Sequence, residues 1–249
     1  MKILITSGGT KIPIDTVRDI TNMSTGTFGT KIATEFLRHG HEVHFVRAKG
    51  SKSPMSITLD LYKNRLSAHS NPNEEALLAQ LIEFYNHNSS RYSESEFKTF
   101  EQYERSLKLS MGNIRPDVVV LAAAVSDYYV PNPMQGKLRS NDMLTIKLEP
   151  LPKIINKVKG WAEDYKPNIK LVGFKLLVNS NRSELILASK KSCEENGCDM
   201  VVANDLEDIK LNKHKILLVF PRRECVEYHA DPNDPNFLAK KIVEHVEQL

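Results

Sequence analysis

Ser7-Gly8-Gly9-Thr10 and Asn22-Met23-Ser24-Thr25-Gly26-Thr27-Phe28-Gly29 form two small-residue loops near the start of the chain. Such loops suit anion binding. Glycines let backbone N–H groups approach a phosphate closely, and a helix opened by Gly26 to Gly29 would aim its positive end at the same place. Together the loops can build one phosphate site, whereas either alone reads equally well as a tight turn or an ordinary helix start. Asp127 stands just past an apolar run, a position suited to a metal ion, to a ribose hydroxyl or to capping a turn. Lys137 and Arg139 lie in a long loop, where they can neutralise a polyphosphate or remain plain exposed charges. Phe174-Lys175 and Asn204-Asp205 end two further apolar runs; Phe174 also reads as core, and Asn204-Asp205 as a turn cap.

Periodicity places these residues on an alternating scaffold. Lys2 to Thr6 reads as a first strand, Thr30 to His39 as a helix stopped by Gly40, and His41 to Val46 as the next strand, a βαβ unit. Ile57 to Tyr62 suggests a third strand, Glu74 to Tyr85 and Phe97 to Leu109 two helices, and the polar His87 to Glu96 between them a mobile loop. Asp117 to Ala124 reads as a buried parallel strand, Val118 to Ala124 being continuously apolar, and its end at Ala122, Ala123 and Ala124 is small enough to bring backbone close to a ligand. Tyr128 to Met143 reads as a long, lid-like loop. Beyond it come strands at Leu144 to Leu148, Lys170 to Leu176, Met200 to Ala203 and Ile216 to Phe220, with helices at Pro152 to Ala162, Ser183 to Asn196 and Asn236 to Gln248.

This alternation predicts a three-layer, doubly wound, Rossmann-like α/β fold with a mainly parallel sheet in one domain over residues 1–249. Leu144 to Leu148 paired with Ile216 to Phe220 would supply a small flap or dimerisation element. The chemistry-bearing segments then converge at strand carboxyl ends, where such folds bind ligands.

Composition narrows the classes. A chain of 249 residues with 41% apolar content can bury a sizeable core, and a net charge of +3 without a basic, aromatic-interleaved stripe does not point to nucleic acid. Cys193, Cys198 and Cys225 have neither CxxC spacing nor a histidine pair nearby, so reduced thiols in a cytoplasmic protein are expected. No apolar run reaches membrane-spanning length. A dinucleotide fingerprint, a Walker A motif and a Tyr-x-x-x-Lys pair are all missing.

The order and context of Ser7-Gly8-Gly9-Thr10 with Ile14-Asp15 and Val17-Arg18, Asn22 to Gly29, Ala122 to Tyr128, Lys137, Gly173-Phe174-Lys175 and Val202-Ala203-Asn204-Asp205 resemble the phosphopantothenate–cysteine ligases across nearly the whole chain. The resemblance implies a ligase that joins 4′-phosphopantothenate to L-cysteine in coenzyme A biosynthesis. It implies an acyl-nucleotidylate formed from CTP or ATP with Mg²⁺, release of pyrophosphate, and no protein nucleophile. It also implies a homodimer. Residue by residue, Asn22, Lys137 and Asp127 correspond to catalytic positions, Asp127 also to the metal's, and Gly8, Gly9, Thr10, Ser24, Ala122, Ala123, Phe174 and Asn204 to the nucleotide site.

Two departures accompany the resemblance. Bacterial relatives carry a Lys-x-Lys-Lys run where this chain has Lys137-Leu138-Arg139-Ser140, and many are fused to a decarboxylase preceding the strand at which this chain starts. Two other classes stay open on residues alone. The glycine loop and Arg47 at the second strand's end fit an NAD(P)-dependent oxidoreductase, and the lysine-poor loop fits a non-catalytic nucleotide-binding module.

Overall fold

The computed structural model describes residues 1–55, 72–138, 143–211 and 214–249. Its strands are β1 (Lys2–Ser7), β2 (Lys11–Pro13), β3 (Asp19–Thr21), β4 (Glu42–Ala48), β5 (Tyr92–Phe97), β6 (Val118–Leu121), β7 (Tyr128–Tyr129), β8 (Glu149–Pro150), β9 (Lys170–Leu177), β10 (Met200–Asp205), β11 (Lys215–Val219) and β12 (Val226–His229). The helices are α1 (Thr27–Arg38), α2 (Pro72–Asn88), α3 (Phe100–Ile114), α4 (Val158–Ala162), α5 (Arg182–Asn196), α6 (Leu206–Lys210) and α7 (Phe237–Val246).

Among the described residues, eight strands form the main sheet in the order β12-β11-β10-β9-β6-β1-β4-β5. From β5 to β10 every neighbouring pair is parallel, and β11 and β12 add an antiparallel edge. The chain winds outward from β1 through β4 to β5, then returns to lay β6 on the other side of β1. The switch point of the doubly wound sheet therefore lies between β1 and β6.

Side-chain alternation along the strands feeds two cores. Ile3, Ile5, Val118, Val120 and Val202 face Ile32 and Phe36 of α1 and Leu238 and Ile242 of α7. Leu4, Val119, Leu121 and Val201 face Tyr103, Leu107 and Met111 of α3 and Val158 of α4. Burial on both faces is why these strands read as continuous apolar runs, and it produces the expected three-layer arrangement. The helices are closed by local chemistry: the Thr99 side chain caps α3, and Asn181 with Glu184 forms a reciprocal capping box at the start of α5. Cys193 and Cys198 are buried in the second core, where burial pushes their thiols up to about 11 and about 12.

Several sequence expectations are revised. His87 to Glu96 is not a loop: it closes α2, makes a 3-10 turn at Ser89–Arg91 and runs into β5. Its polarity belongs to an edge strand, where Glu94 and Glu96 meet Arg47 and where Ser93 and Ser95 meet the His44 ring. Leu144 to Leu148 forms no strand, and Ile216 to Phe220 supplies β11 inside the main sheet rather than a flap. The helix expected from Pro152 shortens to a 3-10 turn at Ile155–Lys157 followed by α4. The hairpin β2–β3, strand β12 and helix α6 carry too few residues for periodicity to reveal them. The expected strand Ile57 to Tyr62 and residue Arg139 lie outside the described residues.

Candidate active site

β1 and β6 stay bonded past their ends. The Ala124 N–H donates to the Gly8 carbonyl (2.8 Å) and the Thr10 N–H to the Ala124 carbonyl (3.2 Å), so Gly8 to Thr10 lies alongside Ala122 to Ala124 at the switch point. Gly8 has φ +84°, and a Cβ there would stand 2.6 Å from Ala48 Cβ, so only glycine fits this turn. Thr10 Oγ1 accepts from the Ser126 N–H (2.8 Å), and the Thr10 carbonyl accepts from Thr21 Oγ1 (3.0 Å). These bonds tie the β6 loop and the β2–β3 hairpin to one backbone segment.

The second loop closes onto the same place. Asn22 Nδ2 donates to the Ala124 carbonyl (3.1 Å), and the Ser24 N–H donates to the Asn22 carbonyl (2.8 Å). Gly26, at φ +76°, precedes α1, and its carbonyl accepts from Ser7 Oγ (3.0 Å) and Thr30 Oγ1 (2.9 Å). A Cβ on Gly29 would lie 2.5 Å from Ser7 Oγ, so α1 begins in direct contact with the end of β1. No acidic residue lies in the first turn of α1 and no N-cap side chain closes it. The Thr27 N–H already donates to Thr25 Oγ1 (3.4 Å), and the dipole of α1 still favours an anion at this end.

Phe174 of β9 joins from the side, half-buried, with its ring 6.1 Å from Phe28 in an edge-to-face contact. Ala123 belongs to the bonded junction through its N–H, which donates to Thr6 Oγ1 (3.3 Å). Asn204 lies near the end of β10 on the same sheet edge, and the neighbouring Asp205 is a structural cap. The Asp205 carboxylate accepts from the Ser180 N–H (2.8 Å), Ser180 Oγ (2.7 Å) and the Glu207 N–H (2.9 Å). Asp127 is largely exposed and pairs with Lys153 across the β7–β8 ribbon.

Lys137 is exposed, on a loop hung from the turn between β2 and β3. The Thr16 N–H donates to the Gly136 carbonyl (3.3 Å), and the Leu138 N–H donates to Asp15 Oδ2 (3.0 Å). Asp15 is buried and also accepts from the Val17 N–H (2.8 Å), the Arg18 N–H (2.7 Å) and the Arg18 guanidinium (2.6 Å). Burial opposes its charge, but the amides of Leu138, Val17 and Arg18 and the guanidinium outweigh it and hold the carboxyl down to about 2. Asp15 is thus the anchor of the lysine loop. In the sequence, the only signal of this anchor is the i,i+3 spacing of Asp15 and Arg18 in a turn. An open cavity of about 220 Å³ beside this loop is lined by Ile14, Val130, Met134, Leu138, Leu144 and Ile146 among others.

Arg47, the phosphate ligand an oxidoreductase would need, is instead engaged by Glu94 (3.1 Å) and Glu96 (2.6 Å). Among the described residues no group of three or more His, Cys, Asp or Glu side chains could hold a metal, and no helix is long and apolar enough to cross a membrane. Asp127 alone fits Mg²⁺ only as one carboxylate, with phosphates and water completing the shell, as is usual for Mg²⁺ on a nucleotide.

The family described as DNA/pantothenate metabolism flavoprotein C-terminal domain matches residues 1–63 and 98–249. The chain belongs to this family. Curated relatives include the coenzyme A biosynthesis bifunctional protein CoaBC of Thermococcus kodakarensis, 33% identical over 88% of this chain and 44% of the relative. The phosphopantothenate–cysteine ligase of Mus musculus is 30% identical over 84% of this chain and 73% of its own length. The chain spans about half the length or less of the CoaBC proteins it matches. Among solved structures, a Cab2 mutant in complex with phosphopantothenate-cysteine superposes with TM-score 0.82 at 26% identity over 99% of this chain and 85% of that one. The DNA/pantothenate metabolism flavoprotein from Streptococcus pneumoniae gives TM-score 0.73 at 27% identity over 100% and 99% of the two chains.

Proposed function

We propose that this chain, as one ligase domain over residues 1–249, joins 4′-phosphopantothenate to L-cysteine through an acyl-nucleotidylate made from CTP or ATP, and that it acts as a homodimer. The observation that carries this reading is the junction in which Gly8 to Thr10, Ala122 to Ala124, Asn22 and the open start of α1 meet at the switch point, in a chain belonging to this family. The coenzyme A biosynthesis protein and the phosphopantothenate–cysteine ligase among its relatives support the choice of substrates.

The chemistry needs positioning more than a nucleophile. A substrate carboxylate attacks the α-phosphorus, the α–β P–O bond breaks and pyrophosphate leaves. The cysteine amine then attacks the acyl carbon, and the nucleoside monophosphate leaves as the amine gives its proton to solvent. The barrier comes from bringing two anions together, so preorganised donors and cations contribute most. The α1 N-terminus and the Gly8 to Thr10 backbone cradle phosphate oxygens. Asn22, held on Ala124, orients the acyl group, and Lys137 screens the developing charge. Ser24, Ala122, Ala123, Phe174 and Asn204 line the nucleotide's place. Mg²⁺, held by Asp127 and the triphosphate, would neutralise phosphate charge when bound.

Pyrophosphate release with 4′-phosphopantothenate and Mg²⁺, comparing CTP with ATP and with or without cysteine, tests the reading. Cysteine-stimulated turnover with one nucleotide is expected and names the energy source. Nucleotide binding without any release would favour the non-catalytic module.

A further inference from the structure

The amino ends of β9 and β10 lie at the pole of the sheet opposite the candidate site. Lys170 opens β9, Asp199 precedes β10, and Phe220 follows the end of β11, which runs antiparallel to β10 and so finishes where β10 begins. The eight residues of β9 set the two poles roughly 23 Å apart. An open groove of about 400 Å³ lies at this far pole. That volume falls within the range of about 300–1,000 Å³ usual for small-molecule sites.

Lys159, Lys170, Arg222 and Arg223 line the groove, and Asp199 is the one acidic side chain among its lining residues. The Asp199 carboxylate is already shared. Lys159 Nζ (3.0 Å) and Lys170 Nζ (3.7 Å) both pair with it, and Oδ2 also accepts from the Leu171 N–H (2.9 Å). Both guanidiniums are exposed, and among the described residues neither makes an ion pair or a hydrogen bond. Arg223 is held over the Phe220 ring, 5.9 Å from its centroid, and Glu224, next in the chain, does not line the groove. Cys193 and Cys198 do line it, but burial pushes their thiols well above neutrality, so they add no counter-charge.

Four cations around one concavity with a single carboxylate repel one another, and an anion relieves that repulsion. Guanidinium forks match phosphate oxygens two at a time, while ammonium groups act as point charges beside them. We propose that this groove is a second ligand site, separate from the candidate active site, for a small molecule carrying at least two linked phosphate groups, with Arg222 and Arg223 as its principal donors. The proposal does not depend on the ligase reading.

Amide and arginine Nε–H NMR of the full chain, titrated with inorganic pyrophosphate without Mg²⁺ at constant ionic strength, tests it. Saturable shifts are expected at Gly197, Arg222 and Arg223, with pyrophosphate binding at least roughly tenfold tighter than orthophosphate because two phosphates engage both forks. The double variant Arg222→Gln, Arg223→Gln should stay folded by its amide spectrum and weaken the binding read at Gly197 roughly ten- to a hundredfold. Shifts at Gly8 and Gly26 report the candidate active site and should be the same in variant and wild type. Shifts confined to Gly8 and Gly26 overturn the proposal. So do equal affinities for the two anions, an unweakened variant, or groove shifts that sodium chloride reproduces.

Discussion

The β1–β6 junction and the Lys137 loop serve the same proposed reaction but are built in different ways. The junction is made of backbone bonds and glycines packed on a buried sheet, so its donors are in place before any ligand arrives. The loop is exposed and held through the Asp15 carboxylate and a few backbone bonds at its base. The difference separates preorganisation from adaptability: the proposed phosphate cradle is part of the fold, whereas the lysine proposed to screen charge sits on an exposed element tied at its base through Asp15, Ile14 and Thr16.

Breaking the junction should cost most. Gly8→Ala forces an L-residue into positive φ and a methyl onto Ala48, and should lower stability by about 2–4 kcal/mol while abolishing nucleotide turnover, read by thermal melting and pyrophosphate release. Lys137→Ala should leave the melting curve unchanged and slow pyrophosphate release roughly tenfold to a thousandfold; an unchanged rate would remove Lys137 from the mechanism.

Asp15→Asn sharpens the contrast by loosening the anchor alone. It should slow pyrophosphate release less than loss of the lysine does, and lower the urea midpoint near neutral pH. Because Asp15 titrates at about 2 in the fold against 3.8 ordinarily, its stabilising contribution is fully present above about pH 4 and is lost as pH falls through 2. The gap between wild type and variant should therefore close over that window; a constant gap would show that charge is not what holds the loop. The smallest effect is expected from Asn181→Ala at the start of α5, a loss of about 1 kcal/mol with unchanged turnover, since this cap lies outside both regions.

Sequence alone conveyed the architecture where burial imposed a pattern. The run at Val118 to Leu121 is apolar because it is covered on both faces, and Ile32, Phe36 and Leu37 repeat at helical spacing because one side of α1 meets the sheet. The two small-residue loops were legible as tight turns because glycine positions carry steric information that the structure repeats at Gly8 and Gly29. β5 was missed because an edge strand with polar residues imitates a loop, and β11 was misassigned because strand pairing over long separations leaves no local mark. Asp15 stayed hidden for a related reason. Its partner Leu138 is distant in the chain.

The carboxylates of Glu94 and Glu96 on β5 also bear on how copies of this chain can meet. Arg47 holds both from the neighbouring strand, so an incoming β-strand would find a negatively charged border whose counter-charge is already committed. Lengthening the sheet by one more chain there is unfavourable. Among the described residues, strand addition at that border is therefore opposed by charge.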